Sequence, residues 1–257
     1  MEFIDTHTHL YATEFDADRQ MVVERAIASG VSRLLLPNIN SQTIDDMLSL
    51  CKTFPEHCLP MMGLHPTSVT EDYRKELATV EACLPNNRFV AIGEIGIDLY
   101  WDKTFLEQQL DAFSFQIDLA RKFSLPIVIH CRESFEEVIK IIREKFNGDA
   151  YSGVFHSFPG TAEQAKQVIE FGFKIGINGV VTFKKSSQRE VIEVTPLEHI
   201  ILETDAPYLT PVPFRGKRNE SSYLIYIAKY IADIKKVPVT EVAAITTNTS
   251  RTLFKLD

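Results

Sequence analysis

The feature that most limits what this chain can fold into is an alternation: short apolar runs, each followed by a longer segment with helical periodicity. Phe3-Ile4-Asp5-Thr6-His7 reads as a first strand, and residues 17–29 as a helix that Gly30 ends with a left-handed cap. Residues 31–37 carry Leu34-Leu35-Leu36, apolar on both faces, as a parallel strand buried from both sides must be. A second helix is expected at 41–54, a third strand at 57–62 and a third helix at 71–84. Phe89-Val90-Ala91-Ile92 is the fourth strand, closing with Gly93-Glu94-Ile95-Gly96. Leu106, Leu110, Phe113, Ile117 and Ala120 then recur at alternating gaps of four and three, one stripe on one helix.

Pro126 to His130 is the fifth strand, with a helical stripe of Phe135, Val138, Ile139 and Ile142 behind it. Residues 151–156 read as the sixth strand, 162–169 as a helix and 171–175 as the seventh strand. An irregular stretch follows, with a short helix at 188–194. Ile200-Ile201-Leu202 is the eighth strand, Pro211, Pro213 and Gly216 mark a long loop, and two helices at 220–234 and 240–253 finish the chain. Eight strands alternating with helices match a (β/α)₈ barrel, distorted and carrying an additional C-terminal helix. An open doubly wound sheet shares the alternation, but the glycine-rich phosphate fingerprint of that fold is missing. With no linker or low-complexity tract in 257 residues, one domain over 1–257 is expected.

The strand ends carry the chemistry. In His7-Thr8-His9 the two imidazoles, two residues apart on extended backbone, face the same way. Alone that pair is a weak signal. Glu94, His130, His156 and Asp205 each close a further strand, and in a barrel such positions converge at the C-terminal mouth. Caps or satisfied core residues would not all select the same strand end. Glu94 can bridge two ions through its two oxygens, with His7, His9 and Asp205 holding one and His130 and His156 the other. Imidazoles and carboxylates suit zinc, manganese or iron, and magnesium less readily, so two divalent ions are expected. Cys51, Cys58, Cys83 and Cys131 show no metal-knuckle spacing, and Cys131, the strand neighbour of His130, should point into the core instead.

Other residues have weaker claims. His65 ends the third strand and could contact a phosphate or serve the structure. Arg132, two past His130, could clamp a phosphate or pair with a rim acid such as Glu133. Asp5 and Glu203, two before His7 and Asp205, could orient ligand histidines. Arg215, Lys217 and Arg218 form the densest basic run, and Phe183-Lys184-Lys185 sets an aromatic beside two cations; a solvated loop explains either as well as nucleic acid does. Tyr100 and Trp101 could shape the mouth or pack over the fourth helix. His57 and His199 precede their strands, at the opposite barrel end, and read as structural. A net charge of −8 counts mildly against a nucleic-acid partner. No basic region precedes an apolar run and none approaches membrane length, so a cytoplasmic protein without membrane contact is expected. No obligate protein partner is implied.

Taken together, several segments resemble the TatD family of metal-dependent deoxyribonucleases, in the amidohydrolase superfamily. They are residues 3–9, Gly63-Leu64-His65-Pro66, residues 91–98, residues 126–133, residues 203–209 and Arg215-Gly216-Lys217-Arg218-Asn219-Glu220. The resemblance spans nearly the whole chain and implies metal ligands at His7, His9, Glu94, His130, His156 and Asp205. It also implies hydrolysis of DNA phosphodiesters, in some members as a 3′ to 5′ exonuclease with magnesium. Relatives that bridge their metals with a carboxylated lysine differ, since Glu94 stands at that position. Two departures concern the loops: Ser157-Phe158-Pro159-Gly160 follows His156 where the family usually has a cysteine and later a serine, and Ser221-Ser222 replaces a usual proline.

Three functions compete. A phosphodiesterase would use Asp205 as ligand and general base for the attacking water. A small-molecule amidohydrolase would use the same ligands on a lactone, amide or amino substrate. A non-catalytic scaffold would be expected to lose ligands, and all six are present.

Overall fold

The computed structural model describes residues 1–146 and 151–256. Its strands are β1 (Phe3–Asp5), β2 (Val31–Pro37), β3 (Cys58–Met61), β4 (Ile92–Asp98), β5 (Ile127–Arg132), β6 (Gly153–Phe155), β7 (Lys174–Ile177) and β8 (Ile200–Leu202). Every ladder is parallel, and the strands form two sheets, β1-β2-β3 and β4-β5-β6-β7-β8. Two seams join the sheets into a distorted barrel. Val90 N donates to Pro60 O (3.0 Å), Met62 N to Ala91 O (3.1 Å) and Gly93 N to Met62 O (3.0 Å) across one. Across the other, Thr6 N donates to Leu202 O (3.1 Å) and Asp205 N to His7 O (2.9 Å).

Helices α1 (Arg19–Ala28), α2 (Ile44–Thr53), α3 (Tyr73–Cys83), α4 (Leu106–Phe123), α5 (Phe135–Phe146), α6 (Ala162–Glu170), α7 (Gln188–Val194) and α8 (Leu224–Lys235) follow the strands in turn. They bury their apolar stripes in one cluster with the outward side chains of the strands, as the parallel pattern requires. An additional helix, α9 (Val239–Phe254), ends the chain. Its Leu253 and Phe254 pack with Ile4, Leu35, Met61, Val90, Ala91, Val128, Val154 and Ile201, which fill the floor of the barrel. Phe254→Ala should therefore cost about 3–5 kcal/mol of stability, the range for emptying a buried aromatic site. Chemical denaturation would show it as a lower midpoint at unchanged slope, and a loss under about 1 kcal/mol would mean α9 is dispensable to the floor.

The strongest departure from expectation is β4. The expected strand at 89–92 with a glycine-marked end is instead Ile92–Asp98, so Glu94 lies inside the strand. The glycines mark close approach, not termination. A Cβ at Gly93 would sit 2.6 Å from Val128 Cβ, and one at Gly96, where φ is +145°, would sit 2.0 Å from His130 O. β7 also starts later than expected, because Phe171 and Gly172 close α6: Gly172, at φ +88°, donates to Ile169 O (2.8 Å). No described helix is long and apolar enough to cross a membrane.

Candidate metal centre

Period-two alternation carries three of the side chains from floor to mouth. Val128 and Val154 belong to the floor, and His130 and His156 follow two residues later; Ile201 in the floor is followed by Glu203 and Asp205. β1 and β4 break that period. His7 comes three residues after Ile4, and Glu94 three after Ala91, and the ladders beside them shift register between Phe3 and Ile4 and between Ile92 and Ile95.

The result is one carboxylate among imidazoles. Glu94 Oε2 lies 3.0 Å from His7 Nε2 and 4.0 Å from His9 Nε2. Glu94 Oε1 lies 2.7 Å from His130 Nδ1, 3.4 Å from His65 Nε2 and 3.7 Å from His156 Nε2. Asp205 Oδ1 faces the same space, 3.6 Å from His9 Nε2 and 3.9 Å from both His7 Nε2 and His156 Nε2. The His7 and His156 rings stack with centroids 3.4 Å apart. All six expected ligand residues are thus brought to one end of the barrel. Among the described residues, ligand-distance groupings are His7-His9-Asp205, His7-Glu94-His156 and His65-Glu94-His130.

Outer hydrogen bonds decide which nitrogens are bare. Tyr11 Oη donates to Pro37 O, so it accepts from His9 Nδ1, 2.9 Å away, and leaves His9 Nε2 toward the centre. Asp98 Oδ2 takes the Nε2 proton of His130 at 2.8 Å, and Nδ1 faces Glu94 Oε1 at 2.7 Å in a hydrogen bond that an ion between them would replace. Glu203 Oε1 lies 3.0 Å from His156 Nδ1, out of hydrogen-bond alignment but close enough to favour a proton there, and also accepts from Ser157 N (2.6 Å). His65 is the exception in the other sense. Its Nδ1 accepts from Thr67 N (3.1 Å), so the neutral ring carries its proton on Nε2 and serves as a donor to an oxygen, not as a ligand.

His7 supplies the test of fit. Both its ring nitrogens are fully buried without a hydrogen-bond partner, although Nε2 is 3.0 Å from Glu94. An orphaned buried imidazole is costly and rare, and a metal ion at Nε2 would remove the penalty at the nitrogen that faces the centre. The donors at this centre are imidazoles and carboxylates. Cys131 points away into the outer core, where burial pushes its thiol up to about 12.

Charge follows the packing. Burial works to raise the Glu94 carboxyl, but His7, His65, His156 and the bond from His130 hold it well below the usual range. The same opposition holds Asp205 down, with the nearby His9, His156 and His7 imidazoles the counterweight to burial. Burial works to lower His156, yet Glu203 and Glu94 raise it to about 10. Burial alone dominates at His7 and His65, which are lowered. Asp205 sits at φ +58°, a left-handed conformation that aspartate tolerates better than most residues. Asn219 braces that loop by donating to Thr204 O (2.8 Å) and Tyr208 O (2.6 Å).

Two expected roles are redrawn. Asp5 does not reach the His7 ring; it accepts from His7 N (3.4 Å) and Thr204 N (2.9 Å) and so ties the backbone of β1 to the segment after β8. Burial pushes its carboxyl up to about 7. Arg218, expected to bind phosphate, is held by both oxygens of Asp18 (2.8 and 2.7 Å) and lies over the Phe15 ring, so its fork is already filled. Arg132 has no carboxylate within ion-pair distance among the described residues; its guanidinium lies 3.7 Å from the Tyr100 ring centroid. Arg215 stacks 4.2 Å from the Phe183 ring, joining the two basic-aromatic stretches. His57 binds Ser32 O at 3.0 Å and His199 sits 3.5 Å from Lys174, away from the centre. The sequence does not single out Asp98 and Tyr11 as orienting groups; Asp98 proves to end β4, which runs two residues beyond the expected Gly96, in register with Arg132.

The profile of the family described as TatD related DNase matches residues 4–255. The chain is 37% identical over 254 residues to the uncharacterized metal-dependent hydrolase YabD of Bacillus subtilis, covering 98% of this chain and 99% of that one. It is 34% identical over 258 residues to the 3′-5′ ssDNA/RNA exonuclease TatD of Erwinia tasmaniensis, covering 98% and 99%. The crystal structure of YJJV, a TatD homolog from Escherichia coli, superposes with a TM-score of 0.89 at 28% identity, over 99% of this chain and 98% of that chain. With the orphaned imidazole and the carboxylate at the centre of the site, these matches place the chain in the TatD-related DNase family of metal-dependent hydrolases.

Proposed function

We propose that this metal-dependent hydrolase cleaves phosphodiester bonds of DNA, removing nucleotides from the 3′ end of single strands. The observation that carries the reading is Glu94, whose two oxygens face separate sets of imidazole nitrogens: His7 and His9 with Asp205 on one side, His130 and His156 on the other. Those residues would hold two divalent ions, zinc, manganese or magnesium, which supply Lewis acidity and neutralise phosphate charge. Glu94 holds the two sets at a fixed separation, and Asp98 and Glu203 fix the ring orientations of His130 and His156. Asp205 is the carboxylate that water reaches, since its side chain is 14% exposed against 3% for Glu94. Held ionised by its neighbours, it accepts a proton from water as the water oxygen bonds to phosphorus and the P–O bond to the sugar oxygen breaks, the departing oxygen taking a proton from solvent. His65, whose Nε2 faces Glu94 Oε1 at 3.4 Å, would present that proton at the metal centre, where a substrate oxygen could compete for it. The relative named as a 3′-5′ ssDNA/RNA exonuclease supports the substrate class and direction. Asp5 and Glu203 serve as positioning groups. The net charge of −8 favours a small-molecule substrate instead, and a lactone or amide is the second reading.

The deciding experiment offers single-stranded DNA, duplex DNA, RNA, a lactone panel and an amide panel, each with magnesium, manganese and zinc. Stepwise shortening of single strands from the 3′ end is expected. Efficient lactone or amide hydrolysis with every strand left intact would make the nuclease reading wrong.

Arg132 gives a finer check. It is a rim cation and not a ligand, so Arg132→Ala should raise KM for a strand about tenfold and change kcat little, as loss of uniform binding does. A fall in kcat at constant KM would assign it to the transition state.

A further inference from the structure

The metal centre and its rim cation account for a phosphate but not for the two aromatic rings beside it. Tyr100 is 50% exposed and Trp101 70%. Neither is a loose surface residue. Both backbone N–H groups donate to Asp98 Oδ1, at 2.9 and 3.3 Å, and the other oxygen of Asp98 holds His130. The rings meet edge to face with centroids 4.8 Å apart, and Arg132 lies 3.7 Å from the Tyr100 centroid and 5.3 Å from that of Trp101. One carboxylate therefore sets both the orientation of a ligand histidine and the position of an exposed indole. The patch is also small. Asp102, Lys103 and Glu133 around it are exposed, so it suits one flat ring and not the apolar face of a partner protein.

We propose that Trp101, Tyr100 and Arg132 form a stacking platform for the nucleobase adjoining the scissile phosphate, and that this platform confines the enzyme to unstacked strand ends. The proposal rests on the nucleic-acid reading above. Every base has a π-face, so stacking on an indole binds any sequence, and a cation at its edge adds to the attraction. In a duplex an internal base is covered on both faces and an end base on one, and pairing holds either in line with its strand. A base free of a partner strand can turn its face onto Trp101 while its phosphate occupies the metal centre.

Trp101 is the only tryptophan of the chain, so its emission reports the platform directly. The metal-loaded protein is titrated with a short phosphorothioate strand, which resists cleavage, and with an abasic strand of the same length and charge. The base-bearing strand should quench the indole and bind about tenfold or more tighter. In turnover, Trp101→Ala should raise KM for single-stranded DNA about tenfold, leave KM for a strand with an abasic 3′ end unchanged, and be rescued by Trp101→Phe. Equal quenching and affinity for the two strands, or equal damage to both substrates in Trp101→Ala, would overturn the platform. If the wild type shortens single strands while its emission stays constant, the platform fails and the nuclease reading stands. If neither strand binds and none is cleaved, both fail.

Discussion

Glu94→Gln should abolish hydrolysis while the barrel stays folded. Glutamine has the same shape and fits the same buried slot, so the packing around β4 is preserved. What is lost is the negative charge that His7, His65, His130 and His156 all face. An amide offers one oxygen and one N–H₂ where the carboxylate offers two oxygens, so it cannot serve both sets of nitrogens at once. Loss of an outer-shell partner already costs 10–100-fold in many metal sites. Loss of the shared carboxylate should exceed that, with turnover down by roughly 10³-fold or more. Metal content, read by mass spectrometry, should fall below two ions per chain. The melting point should fall too, since a ligand at about a hundred times its Kd stabilises by about 2.7 kcal/mol. Near-normal turnover at saturating metal would show that Glu94 does not join the two sets.

Asp205→Asn should cut kcat by roughly 10²-fold or more, the range for removing a general base. Asparagine tolerates the left-handed backbone as well as aspartate does, so the φ of +58° and the Asp205 N to His7 O bond should both survive. Its side-chain oxygen can keep the approach to His7, His9 and His156, but an amide accepts no proton. Metal content should therefore fall less than in His7→Ala, which removes a ligand outright. Circular dichroism and metal analysis would separate a lost base from a lost site. Full activity of Asp205→Asn on any substrate the wild type cleaves would remove the residue from proton transfer. The same loss is expected on a lactone, so this variant tests the residue and the substrate panel tests the class.

The residues that were easiest to read are those where one rule holds from floor to mouth. His130, His156 and Asp205 follow Val128, Val154 and Ile201 at even spacing, so side-chain alternation carries each of them inward. Glu94 was identified as a site residue but misplaced at the end of its strand, because Gly93 and Gly96 read as terminators until the approach of β5 explained them. Arg218 looked like a free cation because its partner, Asp18, lies 200 positions earlier in the chain. Asp98 escaped notice for the same reason, since the His130 ring it holds lies 32 positions away; Tyr11 stands two residues from His9, and what fixes its role is its bond to the distant Pro37 O. Local periodicity is legible in a single chain, whereas a pairing between distant loops depends on how the barrel closes.

The division of the barrel into a three-stranded and a five-stranded sheet has a mechanical consequence. Backbone bonds from Thr6 N, His9 N and Asp205 N and the Asp5 carboxylate on Thr204 join β1 to β8, and His7 and His9 stand on one side of that seam with Asp205 on the other. An ion held by all three would add a latch. On the β3–β4 side the His65–Glu94 contact and the two bonds between Gln116 and Leu64 span the gap at the mouth beside the backbone bonds. Chelation should therefore unlatch the β1 edge first, through local opening that leaves the five-stranded sheet intact. The amides of Thr6 and Asp205, which bridge that edge, should exchange their hydrogens sooner than those of β5. A protease acting on the metal-stripped chain would find its first foothold near the loop that carries His9.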